Sequence, residues 1–586
     1  MTEPRPNKRD LDAVTIATWV VLALGVALRV IAYTRRSILW LDEAATARNI
    51  VERSLSDLLT VPLDYGQAAP KGFLLLEWIS MRVLGTGERA FRLVPFLAGT
   101  ASLFLFYALA RRVLTPVGTL AALLFFSVGY WFVVYASDLH PYGLDLALSL
   151  AAMVLAIDLC RLDYPRRRVW AAAAFGALAV WFSNGVVLTL FGLGVALGAI
   201  AWKARGPAAT VRTLWPIALA WGASAGAAVW VATHSFFPTA AEFFAWLWQP
   251  GMVPVPRSVD SALWLWQAWR SQLSLFHGWS LDDPTWTSLY VALALIGAVS
   301  LVLRRRAEAL LVASVVAAYV VVSMAKQYPY DARFVLASMA VLVLGIGESI
   351  GIIATAAWGR ARPVAVATAV LLCVPPIYRT VAYPPPYQWT VIGAYLTQIR
   401  DRWQPGDVVY TTYGRALEVL HSAPRFGLAS SDVVVGPCDF DDPRAALRAA
   451  DALRGRARAW VIVGTGRYFP YSPEYAYLRT IGVQRDSLRP DLPGSIRQAA
   501  PQPYDIGTAY LFDLSDSTRL SRATAQSYPI SPLLSRVLLG VNRWNCYGVW
   551  SPAVRESERR VTVSSRGQAL ATERSLRDRS GQSREP

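Results

Sequence analysis

The sequence predicts a polytopic α-helical membrane protein, with about 11 transmembrane helices and a small C-terminal extracytoplasmic α/β domain. Three observations support this fold class. Of the 586 residues, 54% are hydrophobic and 17% are charged, whereas about 25% are charged in a typical soluble protein. The apolar residues occur in runs of roughly 18 to 22, the length of a helix that crosses a bilayer. These runs end near residue 381, and the remainder has the composition of a soluble domain.

The formal net charge of +17 does not indicate a nucleic-acid partner. Lys and Arg are concentrated in short loops between apolar runs, where they determine membrane topology, and no basic groove motif interleaved with aromatic residues is present. The basic clusters all fall on one side if the N-terminus is cytoplasmic. They are Arg111-Arg112, Arg161 to Arg168, Lys203 to Arg212, Arg304 to Arg306 and Arg360 to Arg362. This pattern predicts a multi-pass protein of the bacterial cytoplasmic (inner) membrane, with its C-terminal domain outside the cytoplasm.

The predicted elements follow the apolar runs in chain order. After a cytoplasmic N-terminus at 1–12, the transmembrane domain covers 13–381, with long outer loops at 35–89 and 234–284. The first run has no small-residue cleavage site and is therefore predicted to be a retained span. Spans are predicted at about 13–33, 91–109, 117–135 and 140–160, then as a hairpin of two short helices broken at Ser183-Asn184-Gly185, and then at about 213–233, 285–303, 307–325, 334–357 and 363–381.

Two stretches of the first outer loop, "DEAATARNIVERSLSDLL" and "KGFLLLEWISMRVLG", predict short amphipathic helices along the membrane surface. Beyond the rigid linker "YPPPY", an α/β domain is predicted at 382–550. Here "GDVVYTTYG", "ARAWVIVGTG" and "GTAYLFDLS" predict strands, and "DPRAALRAADALRG" predicts a helix. Cys438 and Cys546 both lie in this domain and are a candidate disulfide pair. The Ser-, Arg- and Glu-rich tail at 551–586 is predicted to be disordered.

The acids Asp42 and Glu43 are the first candidate functional residues, because they follow the first span on the outer side. Asp42 could simply cap the next helix, with Glu43 in its first turn, where the helix dipole favours acids. The alternative is a role in catalysis. Trp40 places both carboxylates at the level of the lipid headgroups, where a partly desolvated carboxylate can take a proton from a hydroxyl.

Three more outer segments carry candidate residues for binding a substrate or a lipid phosphate. The candidates are Gln67 and Lys71 in the first segment, Asp138, His140, Tyr142 and Asp145 in the second, and Lys326, Tyr328 and Arg333 in the third. Each has a structural alternative: Lys71 snorkels to the interface, Asp145 holds two helices together, and the aromatic and basic residues of the third segment anchor it at the interface. All four segments open at the same depth, which favours a cavity that a lipid enters laterally.

These motifs resemble the GT-C superfamily of integral-membrane glycosyltransferases. "LWLDEAATARNI" is similar to the first outer loop of that superfamily, and "QAAPKGFLLLEW" with "GTGERAFRLVPFLAGT" is similar to the next stretch of family-39-like members, which include protein O-mannosyltransferases and the lipid A aminoarabinose transferase. "YASDLHPYGLDLAL" resembles a Glu-x-Arg/Lys-Pro-Tyr pattern, with Asp138 in place of the glutamate and His140 in place of the cation. "KQYPYDARFVLASMAVLVLGIGE" resembles the stretch near the last spans, with Asp331-Ala332 where glycine is commoner.

The resemblance covers about residues 10 to 355. It implies that a sugar is transferred, with inversion, from a polyprenyl-phosphate donor to a lipid, glycan or protein acceptor outside the cytoplasm. It implies Asp42 as the general base, with Glu43 orienting it or binding the sugar. Lys71, His140, Lys326 and Arg333 are then candidates for binding the lipid phosphate. Some members of the superfamily use a divalent metal, but no acid cluster near Asp42 predicts one here.

Three other functions are compatible with the composition. A transporter or flippase would share the many spans, but such proteins usually have repeated halves and ionisable groups near the midplane. A polymerase or ligase of lipid-linked glycans would share the cavity but would use a diphosphate-linked oligosaccharide. A catalytically inactive scaffold would use the outer domain to bind a partner protein. The four cysteines have no zinc-binding spacing.

Overall fold

The fold is taken from a computed structural model, which describes residues 8–35, 38–235, 244–245, 247–274, 284–356, 362–386, 390–436, 442, 444–463, 473–488 and 508–530. The candidate disulfide Cys438–Cys546, the first seven residues of the N-terminus and the tail at 551–586 lie outside these ranges. The described residues form a helical bundle followed by an α/β domain, so the predicted fold class is confirmed.

Helices account for almost all of the described chain up to residue 382. They are α1 (Lys8–Arg35), α2 (Leu41–Glu52), α3 (Leu55–Thr60), α4 (Lys71–Leu84), α5 (Glu88–Val113), α6 (Pro116–Val128), α7 (Tyr130–Val134), α8 (Tyr142–Arg161), α9 (Arg166–Ala179), α10 (Gly185–Arg205), α11 (Pro207–Thr233), α12 (Val259–Leu273), α13 (Pro284–Arg304), α14 (Arg306–Met324), α15 (Leu336–Ala356) and α16 (Arg362–Ala382). Within the described ranges, nine helices are long and apolar enough to cross a bilayer.

Each predicted span corresponds to helix, but two of them are shorter than a bilayer requires. The predicted span 117–135 is divided at Gly129 into α6 and α7. The predicted hairpin of two short helices is half wrong, because α9 has 14 residues whereas α10 has 21 and is full length. The predicted surface helices after α1 are present as α2, α3 and α4.

The basic loops gather at the end of the bundle opposite to α2. Arg112 is paired with Asp158 at 2.8 Å, and Arg161 is paired with Glu308 at 2.8 Å. Because these pairs join the ends of α5, α8 and α14, the clusters Arg111-Arg112, Arg161 to Arg168 and Arg304 to Arg306 lie at one end of the bundle, as the positive-inside pattern requires. Which end faces the cytoplasm stays a prediction.

Helix α15 lies at the centre of the bundle, and 83% of its 18-residue apolar segment is buried. It packs against α6 and α13 through small residues. A Cβ added at Gly345 would collide with the carbonyl oxygen of Ala294, and one at Gly297 would collide with the backbone at Gly345. Small residues allow two helix backbones to approach closely, which is how helices commonly pack within a membrane.

The C-terminal domain is a five-stranded sheet with helices on both faces. Its strands are β1 (Val408–Thr411), β2 (Val433–Val435), β3 (Ala459–Val463), β4 (Val483–Leu488) and β5 (Thr508–Asp513), in the order β2-β1-β3-β5-β4. Strands β2, β1 and β3 are parallel, while β5 is antiparallel to both β3 and β4. Its helices are α17 (Ile392–Asp401), α18 (Tyr413–Ser422), α19 (Ala445–Asp451), α20 (Pro473–Ile481) and α21 (Ser517–Leu520).

Both faces of the sheet are covered, which explains why strands β1 and β3 are buried along their whole length and are largely apolar. Val408 and Tyr410 pack toward α19 and α20, while Val409 packs toward α17 and α18. The predicted strands "GDVVYTTYG", "ARAWVIVGTG" and "GTAYLFDLS" are therefore confirmed as β1, β3 and β5. The position of α18 matters most for the site, because its outer face contacts α2 of the membrane domain.

The glycine contacts give a stability prediction. We expect Gly345→Ala to lower the free energy of unfolding by about 1–3 kcal/mol, because the added methyl must separate α13 from α15. Gly222→Ala in α11 is the matched control, since no atom lies within 4 Å of the added Cβ. Thermal unfolding of the detergent-solubilised protein measures both, and equal melting temperatures for the two variants would contradict the packing.

Candidate active site

Helix α2 places the two acids of "LWLDEAAT" in its first turn. The N-cap position is occupied by Trp40, so Asp42 is the second helical residue and Glu43 the third. The prediction that Asp42 caps this helix is therefore wrong. The capping interaction is made by Glu43 instead, whose Oε2 accepts a hydrogen bond from the backbone N–H of Trp40 at 3.2 Å. This leaves the side chain of Asp42 available for other contacts.

Glu43 forms a fully buried ion pair with Arg92 of α5. Nε of Arg92 donates to Oε1 at 2.9 Å, Nη2 donates to Oε2 at 2.6 Å, and both side chains have 0% exposure. The backbone N–H of Leu139 also donates to Oε1 at 2.9 Å. A buried ion pair is retained only when both charges are fully bonded, and Glu43 meets that condition by joining α2, α5 and the 137–141 segment. Its burial suits a residue that orients Asp42 better than one that binds a sugar.

Asp42 faces a partly open site. There it contacts a cation, Arg333, that is far away in the sequence of the transmembrane domain. Nη1 of Arg333 donates to Oδ2 of Asp42 at 3.2 Å, and the side chains are 18% and 24% exposed. Within the part of the chain that the structure describes, Arg333 is the one charged partner of this carboxylate. The pair brings together two segments separated by 291 residues in sequence.

Three rings form an aromatic cage around the guanidinium of Arg333. Its Cζ lies 4.7 Å from the ring centre of Trp248, 5.3 Å from that of Phe334 and 5.9 Å from that of Tyr142. A cation over an aromatic face is stabilised by about 0.5–2 kcal/mol, depending on how far it is desolvated. The cage therefore holds the guanidinium of Arg333 in place beside the carboxylate of Asp42.

The second predicted segment lies against this cage. Oδ2 of Asp138 is 2.9 Å from Nδ1 of His140, and Nε1 of Trp40 donates to Oδ1 of Asp138 at 3.1 Å. The ring of His140 stacks on Tyr142, with 5.3 Å between centres and 13° between planes. A carboxylate bonded to one ring nitrogen fixes the tautomer of a histidine, so Nε2 is the ring nitrogen of His140 that Asp138 does not engage.

Asp145 is buried in the first turn of α8, three residues after Tyr142. Its carboxyl lies against the hydroxyl of Ser183 and the backbone N–H of Gly185. Its Oδ1 has no hydrogen-bond partner among the described residues. Tyr319 closes the same polar region by donating to the carbonyl of Gly185 at 2.9 Å. Asp145 therefore links the first turn of α8 to the turn between α9 and α10, and its role stays a prediction.

Lys71 lies in a neighbouring groove at the start of α4. It lines this groove with Pro70, Trp181 and Asn184. The opposite wall is formed by the end of α11 and the residues just after it, namely Ala228, Val231, Ala232 and Ser235. Burial, and next the positive charge of Arg53, lower the pKa of the Lys71 amine. An ammonium at the mouth of an otherwise mostly apolar groove is suited to a lipid that carries an anionic headgroup.

The other predicted residues, Gln67, Tyr328 and Lys326, contact segments that carry residues of the site. Oε1 of Gln67 accepts a hydrogen bond from Thr46 at 3.2 Å, and Thr46 also donates to the carbonyl of Asp42 at 3.0 Å. The Tyr328 ring is 5.6 Å from that of Phe334. Lys326 is exposed, and its Nζ donates to the carbonyl of Val253 at 3.2 Å, so it stabilises the segment that carries Trp248.

Sequence reasoning missed three residues of this site: Arg92, Trp248 and Phe334. Arg92 had a usable signal, because an arginine within an apolar run must find a partner in the membrane domain. Trp248 and Phe334 had none, since single aromatic residues are frequent at membrane interfaces. Among the described residues, no group of three His, Cys, Asp or Glu side chains is placed to hold a metal ion.

Comparisons with known proteins find similarity in structure and not in sequence. No protein-family profile matches the chain, and no curated protein matches it. ArnT from Cupriavidus metallidurans bound to undecaprenyl phosphate is similar at a TM-score of 0.44 and 13% identity, over 87% of this chain and 99% of that one. The archaeal oligosaccharyltransferase AglB from Archaeoglobus fulgidus, in complex with an inhibitory peptide and a dolichol-phosphate, is similar at 0.41 and 11%, over 80% and 72%.

Both proteins are members of the GT-C superfamily, which the loop motifs of this sequence also resemble. ArnT in the apo state is similar at a TM-score of 0.32 and 15% identity.

The two acids of α2 give a contrasting prediction. We expect Glu43→Gln to destabilise the folded protein by about 3–5 kcal/mol, because it leaves Arg92 charged and buried without its partner. The neighbouring Asp42→Asn should change stability by about 1 kcal/mol or less, since its ion pair is partly exposed. Thermal unfolding in detergent measures both, and an equal loss of stability in the two variants would contradict the division of roles.

Proposed function

We propose that this protein transfers a sugar from a polyprenyl-phosphate donor to an acceptor hydroxyl on the outer face of the cytoplasmic membrane, with inversion at the anomeric carbon. The observation that supports this most directly is the contact of Asp42 with Arg333 inside the aromatic cage. A general base and an anion-binding cation are the two groups that such a displacement needs. Here they share one partly open site beside a groove suited to a lipid.

Asp42 is the proposed base. Its carboxylate accepts the proton of the acceptor hydroxyl, and the hydroxyl oxygen forms a bond to the anomeric carbon on the face opposite the phosphate. The bond from that carbon to the phosphate oxygen breaks, and its electrons leave with the polyprenyl phosphate. An attack on the face opposite the phosphate inverts the configuration at the anomeric carbon, because the nucleophile and the leaving group are then on opposite faces of the sugar.

Arg333 and Lys71 are the proposed phosphate-binding residues. Arg333 presents a planar fork that matches phosphate oxygens, and the cage holds it in one orientation. A phosphate that binds Arg333 competes with Asp42 for the guanidinium, which frees the carboxylate for the acceptor. Lys71 is a second cation at the mouth of the groove formed with α11, whose apolar residues suit the polyprenyl chain.

The remaining site residues are suited to holding the sugar. Nε2 of His140 and the unpaired oxygen of Asp145 are polar groups that can bond sugar hydroxyls, while Tyr142 lies between the two in sequence and stacks on His140. A few polar groups set among aromatic rings are the usual composition of a small-molecule site. This composition leaves open which sugar is transferred.

The proposed orientation places the N-terminus in the cytoplasm and both the site and the α/β domain outside. The separation of charges supports it. The basic clusters pair with acids at the end of the bundle opposite the site, and such clusters are typical of the cytoplasmic side. A site on the outer face requires a lipid-linked donor, because soluble nucleotide sugars are made in the cytoplasm.

The assignment of Asp42 is tested by Asp42→Asn in membranes supplied with a labelled polyprenyl-phosphate sugar. We expect kcat to fall by about 10²–10⁴-fold, because the amide cannot accept the proton. Glu52→Gln is the matched control, since Glu52 is an exposed carboxylate at the other end of the same helix. It should retain wild-type activity.

Other outcomes of this assay separate the competing functions. Full activity of Asp42→Asn would refute the base assignment. Transfer by the wild type from a diphosphate-linked oligosaccharide alone would favour a lipid-linked glycan polymerase or ligase. If the wild type transferred no sugar from either type of donor, a transporter, flippase or scaffold would be favoured.

The role of Lys71 is tested through donor binding. We expect Lys71→Met to raise the KM for the donor about tenfold with a smaller change in kcat, because a charge-assisted hydrogen bond to the phosphate is lost. Arg82→Met is the control, since Arg82 is a cation near the opposite end of α4 that stacks on Trp78. A KM unchanged by Lys71→Met, or raised equally by Arg82→Met, would exclude a specific phosphate contact.

A further inference from the structure

Helix α18 of the C-terminal domain lies between the sheet and helix α2. One face, which includes Val419, packs into the apolar cluster beneath the sheet. The opposite face contributes Leu417 to a cluster formed otherwise by the outer loop and its surroundings, including Leu39, Ala44 and Leu139. The α/β domain therefore packs directly against the segment that carries Asp42.

Glu418 lies at this contact and bonds the first turn of α2. Its Oε1 accepts a hydrogen bond from the backbone N–H of Leu41 at 2.8 Å. Its Oε2 accepts from Nη1 of Arg415 at 3.0 Å and from the hydroxyl of Thr390 at 3.3 Å. The side chain is 1% exposed, so both oxygens are committed to these partners and shielded from water.

The contact with Leu41 supplies what the sequence of α2 lacks. The first N–H groups of a helix have no partner within the helix, and an N-cap side chain usually accepts from one of them. The N-cap residue here is Trp40, whose indole can only donate a hydrogen bond. A carboxylate from 377 residues further along the chain takes that place, and its negative charge is favoured at a helix N-terminus.

We propose that Glu418 is a positioning residue for the sugar transfer, through which the α/β domain holds Asp42 in its productive orientation. This inference rests on the proposed function. Leu41 directly precedes Asp42, so the hydrogen bond fixes the backbone from which the base projects. Glu43 fixes the same turn from the membrane side through Arg92, and together the two carboxylates clamp the turn from both domains.

An ion pair also stabilises the same contact between domains. Arg425, which follows α18, pairs with the buried Glu88 at the start of α5. The ring of His421 also lies 6.4 Å from that of Phe91. These contacts join α18 to α5 beside the hydrogen bond between Glu418 and Leu41.

Leu41→Pro removes the one donor that Glu418 bonds on α2 and leaves Glu418 itself in place. Proline is well tolerated at the first position of a helix, where its missing N–H is not needed by the helix. The preceding Trp40 has φ −80° and ψ 173°, an extended conformation that a following proline allows. Leu41→Ala is the matched control, because it removes the same side chain but keeps the N–H.

We expect Leu41→Pro and Glu418→Ala each to lower kcat by about tenfold or more while the KM for the lipid donor stays within about twofold, because misplacing a reacting group slows the chemical step. Leu41→Ala should stay close to wild type, and Glu418→Gln should recover much of the activity, since its amide oxygen still accepts from Leu41. The double variant Leu41→Pro/Glu418→Ala should be no slower than the slower single variant.

Asp407→Ala controls for general damage to the α/β domain. Asp407 is a buried carboxylate of that domain that precedes β1 and is bonded to Arg458 and Trp460. A loss of kcat equal to that of Glu418→Ala, at equal thermal stability, would overturn the proposal. So would multiplicative losses in the double variant, or wild-type kcat in Leu41→Pro.

Hydrogen exchange of the α2 amides tests the clamp without reference to activity. In protein reconstituted into nanodiscs, we expect residues 41–46 to exchange about tenfold faster in Glu418→Ala than in the wild type, because the first turn opens locally. Unchanged exchange would refute the clamp even if the transferase were active. Faster exchange in a protein that transfers no sugar would retain the clamp and refute only the proposed function.

Discussion

The buried ion pair between Glu43 and Arg92 is the interaction on which the site depends. It joins α2 to α5, and Glu43 also accepts from the backbone of Trp40 and Leu139. An ion pair with no exposure contributes to the fold only when every oxygen and every N–H is bonded, because desolvating two charges is otherwise too costly. These bonds hold the first turn of α2, in which the preceding residue, Asp42, faces the partly open site.

Two adjacent acids thus have two roles that differ by burial. Glu43 points into the protein and holds the turn, while Asp42 points outward to Arg333 and the aromatic cage. Successive residues of a helix are separated by about 100° around its axis, so a first-turn pair naturally faces two directions. Glu418 of the α/β domain accepts a hydrogen bond from the same turn, so the C-terminal domain contributes a residue that supports the site.

Much of the fold was predictable from local pattern. Apolar runs with basic flanks predicted where the membrane helices lie, and alternating or continuous apolar segments predicted β1, β3 and β5, because both patterns express how much of a side chain is buried. The errors have local causes. Gly129 divides a span that was predicted as one helix, and the turn at Ser183-Asn184-Gly185 is followed by a helix longer than expected. Asp42 was a candidate cap because Asp is a favoured N-cap residue, yet the N-cap is Trp40, two residues earlier.

The sequence by itself determined the membrane class, the order of the helices, the soluble C-terminal domain and the segments in which polar residues gather. These follow from composition and short-range periodicity, which each segment carries independently of the others. Only the tertiary structure decided that Arg333 would contact Asp42 and that Arg92 would neutralise Glu43. It also decided that Glu418 would accept a hydrogen bond from the first turn of α2. Such contacts join residues that are 49 to 377 positions apart, and helix packing, which local sequence does not encode, determines which of them meet.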